Sequence, residues 1–131
     1  MTIGELSRRS KVPASTIRYW EQVEILPKPE RTGGQRRYTE KALDRIAVLR
    51  LAQACGFRLE EMRHLVNGFP AEVTASHRWR ELAGKKKKEL DAKLAQIHAM
   101  RDLVDRVMGC NCAELGICGR RARNVLDGTA K

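Results

Sequence analysis

The chain has 131 residues, of which 42% are hydrophobic and 32% charged, a balance that excludes both a disordered tail and a membrane-embedded bundle. No run approaches the ~18 apolar residues of a membrane span, and residues 1–5 lack the basic and apolar regions of a secretory leader, so a cytoplasmic chain with no membrane partner is expected. Lys and Arg number 26 against 16 Asp and Glu, a net charge of +10 that suits a polyanion, because neutralising phosphates on nucleic acid releases condensed counterions.

The excess does not reveal a face, since residues 1–70 and 71–131 each hold 13 basic and 8 acidic side chains. Thr2 and Glu5 have the spacing of a capping box for a short helix ending near Ser10. Pro13 is placed to open a second helix over residues 14–24, with Ile17, Trp20 and Val23 as its buried stripe. Two short helices joined by a turn of this length form a helix-turn-helix.

Pro27, Pro29, Gly33 and Gly34 then exclude a helix and predict a hairpin. Lys28, Arg31, Arg36 and Arg37 lie within it, with Arg18 and Lys41 beside it, and a Gly-Gly turn between arginines suits close approach to phosphate. Thr39 reads as the cap of a helix reaching Cys55, with Ala42, Leu43, Ile46, Leu49 and Ala54 inward and Gly56 as its stop. Another helix runs from Arg58 to the Asn67-Gly68 end signal. Residues 70–76 are a linker.

A single helix is expected over residues 77–108. Leu90, Leu94, Ile97, Val104 and Met108 follow a four-three seam interrupted by Arg101, and Met100, Leu103 and Val107 widen it, a pattern that calls for a second copy. The run Gly84-Lys85-Lys86-Lys87-Lys88 is too polar for that seam and reads as exposed. The expected fold class is mainly α, a winged helix-turn-helix head with a long dimerisation helix. Its segments are 1–70 for the head, 71–108 for linker and helix, and 109–131 for a cysteine-bearing tail.

In this order of elements the sequence resembles the MerR family of transcription regulators over nearly its whole length. The resemblance is carried by Ile3-Gly4-Glu5-Leu6, Thr16-Ile17-Arg18-Tyr19-Trp20-Glu21, Gly34-Gln35-Arg36-Arg37-Tyr38 and Cys55-Gly56-Phe57-Arg58-Leu59-Glu60-Glu61. It implies a homodimer joined by an antiparallel coiled coil and bound to double-stranded promoter DNA with a pseudo-palindromic operator. It also implies that effector binding distorts an overlong spacer so that RNA polymerase engages both promoter elements, a form of indirect readout. On this resemblance Ser15 and Thr16 reach phosphate or base edges and Arg18 contacts DNA from the recognition helix. Tyr19, Arg31, Arg36, Arg37 and Tyr38 hold backbone phosphates, while Trp20 belongs to the core.

The tail offers Cys110, Cys112 and Cys118. Thiolates favour soft ions, so zinc, copper(I), cadmium and mercury are the candidate cofactors. Arg120, Arg121 and Arg123 would lower thiol pKa values and offset thiolate charge, and Leu115 and Ile117 could screen the site from water. The resemblance adds Ser76 or His77 of the partner chain as a further ligand. Cys55, on the inward side of its helix, reads as a small buried hydrophobe. Redox sensing, an iron–sulfur cluster lacking its first thiol (Val107 stands there), and a non-sensing DNA binder remain alternatives. There is no nucleotide loop and no triad, so no catalytic residue and no enzyme are expected.

Overall fold

The structure is a computed structural model that describes residues 1–128. Among them are six helices and one hairpin. Helix α1 (Ile3–Ser10) starts where Thr2 Oγ1 accepts from the Glu5 amide at 3.2 Å and ends at Lys11, whose φ is 61°. Helix α2 (Ala14–Gln22) is shorter than its apolar pattern suggested. The chain reverses at Glu24, with φ 65°, and the amides of Ile25 and Leu26 both donate to the Trp20 carbonyl.

Strands β1 (Glu30–Thr32) and β2 (Gln35–Arg37) pair antiparallel with Arg31 opposite Arg36 and Glu30 opposite Arg37. Gly33 and Gly34 both have positive φ, 59° and 81°, as a two-residue primed turn requires.

Thr39 precedes α3 (Glu40–Ala54) in extended conformation, but its side chain makes no cap bond. Ile46, Leu49 and Ala52 are the residues α3 buries. Ala54, expected inward, is exposed, because it lies about 200° around the helix from Ala52. Cys55 is also exposed, against expectation. The helix ends there: Phe57 N donates to Ala52 O and Gly56 N to Gln53 O, a Schellman arrangement in which Phe57, not Cys55, takes the inward place.

Helix α4 (Leu59–Asn67) buries Met62 and Leu65, and Glu61 Oε1 accepts from the Arg58 amide at 3.0 Å. Helix α5 (Ala75–Met108) begins two residues before the expected start, with Thr74 Oγ1 accepting from the His77 amide at 3.2 Å. Helix α6 (Leu115–Leu126) occupies what the sequence suggested was a plain tail.

The chain forms two compact units, one over Met1–Lys88 and one from Glu89 onward. In the first, Leu6, Ile17, Ile25, Leu26, Ile46, Leu49 and Met62 are fully buried, and Trp20, Tyr38, Phe57, Leu65 and Leu82 close the same core. The lysine run is not uniformly exposed. Lys86 is buried, its Nζ 2.8 Å from Glu61 Oε1 and 5.8 Å above the Phe57 ring, while Lys85, Lys87 and Lys88 face solvent. The cause is its register, since Trp79, Leu82 and Lys86 share one face of α5 at three- and four-residue steps.

Candidate nucleic-acid interface and metal centre

In the first unit, Ile17, Trp20 and Glu21 turn inward from α2, which leaves Ser15, Arg18 and Tyr19 exposed and Thr16 half-buried on the opposite side. Trp20 is core, as its stripe predicted. The next basic residues come from the hairpin, where Arg31 and Arg37 are exposed and Arg36 is half-buried.

Two of the expected phosphate contacts are engaged elsewhere. Tyr38 is buried and its hydroxyl donates to Glu21 Oε2 at 2.8 Å. Arg36 NH1 lies 3.2 Å from Glu21 Oε1. Burial first, and then the bond to Glu21, pushes the Tyr38 phenol up to about 12. Tyr38 is thus a corner post of the core and not a surface residue. The sequence motif hid this because tyrosine satisfies both roles: its ring buries apolar area and its hydroxyl needs a partner. Glu21 belongs to the same sequence motif as Arg18 and Trp20, where its spacing marks no role. It is a buried carboxylate that ties the hairpin to α2.

Two further residues escaped the sequence reading. Arg78 Nε donates to Val73 O at 3.2 Å, NH1 to Leu65 O and Val66 O at 3.3 Å each, and NH2 to Pro70 O at 3.1 Å. The guanidinium also sits 5.6 Å from the centroid of the Phe69 ring. It therefore satisfies carbonyls of the last turn of α4 that have no intrahelical donor. Lys86 is the second. Burial raises the Glu61 carboxyl, but the Lys86 bond and the Arg58 amide outweigh it and hold it below the usual carboxylate range. Nothing in the sequence marks Arg78; the spacing of Trp79, Leu82 and Lys86 could have marked the other.

In the second unit, the chain between α5 and α6 gathers three thiols. The Sγ atoms of Cys110, Cys112 and Cys118 all lie within 4.8 Å of one another. Cys118 comes from the first turn of α6, whose start at Leu115 turns that side chain back toward the loop. The Cys112 amide donates to Cys110 Sγ at 3.3 Å. That bond, then the neighbouring thiols and Arg121, lower the Cys110 thiol, whereas the bond with Cys110 and burial raise Cys112. Of the three arginines expected to act, Arg121 is the one that bears on both of these thiols, and it is held near the loop by a 3.3 Å bond to Asn111 Oδ1.

Leu115 is 89% exposed, so it does not shield the thiols, while Ile117 is half-buried. A cavity of 890 Å³ opens beside the thiols, lined also by Leu103, Arg106, Val107, Val125 and Leu126. Three soft donors at this separation fit one thiophilic ion and do not fit a hard one. Ser76 and His77 are exposed in the first turn of α5, in the other unit, where His77 Nε2 lies 3.6 Å from Glu81. Along α5 from Leu90 to Met108 the seam residues are exposed, Ile97 by 51%.

A recognition helix, a basic two-stranded wing and a long helix with a bare apolar stripe define a winged helix-turn-helix regulator of DNA. Residues 1–68 match the family described as MerR HTH family regulatory protein, and residues 43–107 match the one described as MerR, DNA binding. The chain belongs to the MerR family. Similar proteins include the HTH-type transcriptional activator SoxR homolog of Chromobacterium violaceum, 29% identical over 90% of this chain and 80% of that one. The HTH-type transcriptional regulator HmrR of Rhizobium leguminosarum bv. viciae is 33% identical over 82% of this chain and 84% of its own. Among solved structures, a transcription regulator of Ralstonia metallidurans in complex with lead(II) superposes with a TM-score of 0.70 at 29% identity, over 87% of this chain and 90% of that one. The protein is thus a DNA-binding transcriptional regulator and not an enzyme. No helix among the described residues is long and apolar enough to cross a membrane.

Proposed function

We propose that this regulator senses a soft metal ion through Cys110, Cys112 and Cys118 and activates transcription by distorting promoter DNA as a homodimer. The observation that carries the reading is the convergence of three thiols, from a loop and a helix start, within 4.8 Å. Three thiolates carry a charge of about −3, and a divalent ion reduces it to about −1, which Arg121 beside the loop can offset. The lead(II) complex of the Ralstonia regulator supports the same class of ligand. Ser15, Thr16, Arg18, Tyr19, Arg31 and Arg37 form the DNA-facing set, and the exposed seam of α5 is the surface that pairs two copies. RNA polymerase then engages the distorted promoter. Ser76 or His77 of the partner chain completes the coordination where an ion demands four ligands.

The test is a promoter assay in cells lacking the native protein, run across zinc, copper, cadmium, mercury and lead salts. Serine at both Cys112 and Cys118 is expected to abolish induction and to leave operator affinity within about twofold, because the change removes soft donors and no DNA contact. Cys55→Ser, at an exposed helix end in the other unit, keeps full induction. Full induction of the double variant by any of these metals refutes the reading, and induction by a hydroperoxide without metal would assign the thiols to redox sensing instead.

A further inference from the structure

The first turns of α5 belong to the head, since the compact unit runs to Lys88 and Leu82 lies in its core. Two cations fasten them. Arg78 is coordinated by four carbonyls from the last turn of α4 and the segment that follows it. Two turns further along α5, buried Lys86 pairs with Glu61 of α4 at 2.8 Å and lies over Phe57. An ion pair with a buried cation contributes little to stability compared with an apolar packing of the same volume, but it fixes a register, because a displaced helix takes the desolvated Lys86 ammonium away from the Glu61 carboxylate. The planar guanidinium likewise meets its carbonyls in one orientation only.

We propose that Arg78 and Lys86 are positioning residues that set the half-site spacing this regulator accepts. Neither is placed to touch DNA in this role. They fix the direction in which α5 leaves the recognition head, and α5 carries the seam through which two copies pair. The inference rests on the two-headed reading of the proposed function. Moving one half-site by a base pair displaces it by about 3.4 Å and rotates it by about 35° about the duplex axis. A head clamped at two points along its exit helix cannot follow that movement without breaking a clamp, so spacing is read as an energy.

The experiment uses a duplex selected from random-sequence DNA by the unaltered full-length protein, then lengthened or shortened by one base pair at its centre. Binding is measured by fluorescence anisotropy on these duplexes and on an isolated half-site. The unaltered protein is expected to lose about tenfold in affinity at either wrong spacing, comparable with one mismatched base pair. Lys86→Met keeps the stem and its packing, and it should reduce that discrimination to about threefold or less while binding the half-site within about twofold. Arg78→Gln should act in the same direction, and Lys86→Arg, which retains a cation opposite Glu61, should restore most of the selectivity. Half-site binding shows that each variant's head is folded. Full tenfold discrimination in both Lys86→Met and Arg78→Gln overturns the proposal. Indifference to spacing in the unaltered protein overturns the two-headed reading itself, and the proposal with it.

Discussion

Glu21 is the residue whose loss should be felt most directly, and the structure sets the size of the effect. The residue is 3% exposed, and its carboxylate accepts from the Tyr38 hydroxyl at 2.8 Å and faces Arg36 NH1 at 3.2 Å. Glu21→Ala removes a charge-assisted bond worth about 1.5–3 kcal/mol and leaves the Tyr38 hydroxyl buried without its acceptor. The Arg36 side chain is one-third exposed, so water screens that pair and its share is about 1 kcal/mol or less. A loss of about 3 kcal/mol follows, a large fraction of the ~5–15 kcal/mol that holds a domain together. In urea, followed by circular dichroism at fixed protomer concentration, the midpoint should fall by about 2 M for a slope of ~1.5 kcal/mol per molar. Tyr38→Phe should cost less, about 1–2 kcal/mol, because Glu21 keeps Arg36. The two changes should be non-additive by about 1 kcal/mol in a double-mutant cycle.

The same triad has a pH signature. The folded phenol titrates near 12 against about 10 in the unfolded chain. Because the folded value is the higher, this stabilisation is fully present below about pH 10 and is lost as pH rises through 12. Tyr38→Phe should remove that part of the alkaline destabilisation. A midpoint shift below about 0.3 M for Glu21→Ala would refute the assignment of Glu21 as the anchor of the hairpin.

Ile97→Asp places a carboxylate in the middle of the exposed seam of α5, where Ile97 is 51% exposed in the single chain. In a paired seam that charge is desolvated at a cost of several kcal/mol, so sedimentation should show a monomer where the unaltered protein is a dimer at micromolar concentration. Arg18→Ala should weaken operator binding by about 1–3 kcal/mol if the guanidinium bridges a base edge, with the loss confined to operator and absent from random duplex. An equal loss on both would make it a phosphate contact.

The head was legible because its signals are local and mutually consistent. Thr2 caps, Gly33 and Gly34 turn, and Ile17 with Trp20 recur at helical spacing. Each of these rests on neighbours within a few residues, which is the range over which sequence patterns carry information. What failed depended on distant partners. Cys55 read as buried because the helix was carried one residue too far, and the Schellman turn that hands its place to Phe57 is visible only once the chain has reversed. Helix α6 is missed when residues 109–131 are read only for their thiols, although Leu115, Cys118, Ala122 and Val125 lie at steps of three and four. Arg78 could not be separated from the other cations, since what distinguishes it is a set of carbonyls from α4 and the segment after it, whereas Lys86 is marked only by its three- and four-residue steps from Trp79 and Leu82. The cysteine spacing suggested a soft site, whereas the return of Cys118 toward Cys110 and Cys112 required the helix that the pattern concealed.

Composition overcounts the cations that can meet DNA, and the hairpin shows how to correct the count. Arg9 pairs with Glu40 at 2.7 Å, Arg36 with Glu21, Arg78 with backbone carbonyls and Lys86 with Glu61. A cation paired with a carboxylate or held by carbonyls within the fold does not meet a phosphate, so it adds nothing to the salt dependence. Arg36 and Arg37 are neighbours in β2, but alternation sends them to opposite faces of the ribbon, Arg36 toward the buried carboxylate and Arg37 to solvent. Arg37→Ala should therefore lower the slope of log K against log salt by about 0.9, one phosphate's worth, with the urea midpoint unchanged. Arg36→Ala should do the reverse, leaving the slope within about 0.3 of the unaltered value while reducing stability through Glu21. Equal slope losses for the two variants would show that Arg36 exchanges Glu21 for phosphate on binding, and the internal pairing would then have no bearing on the DNA-bound state.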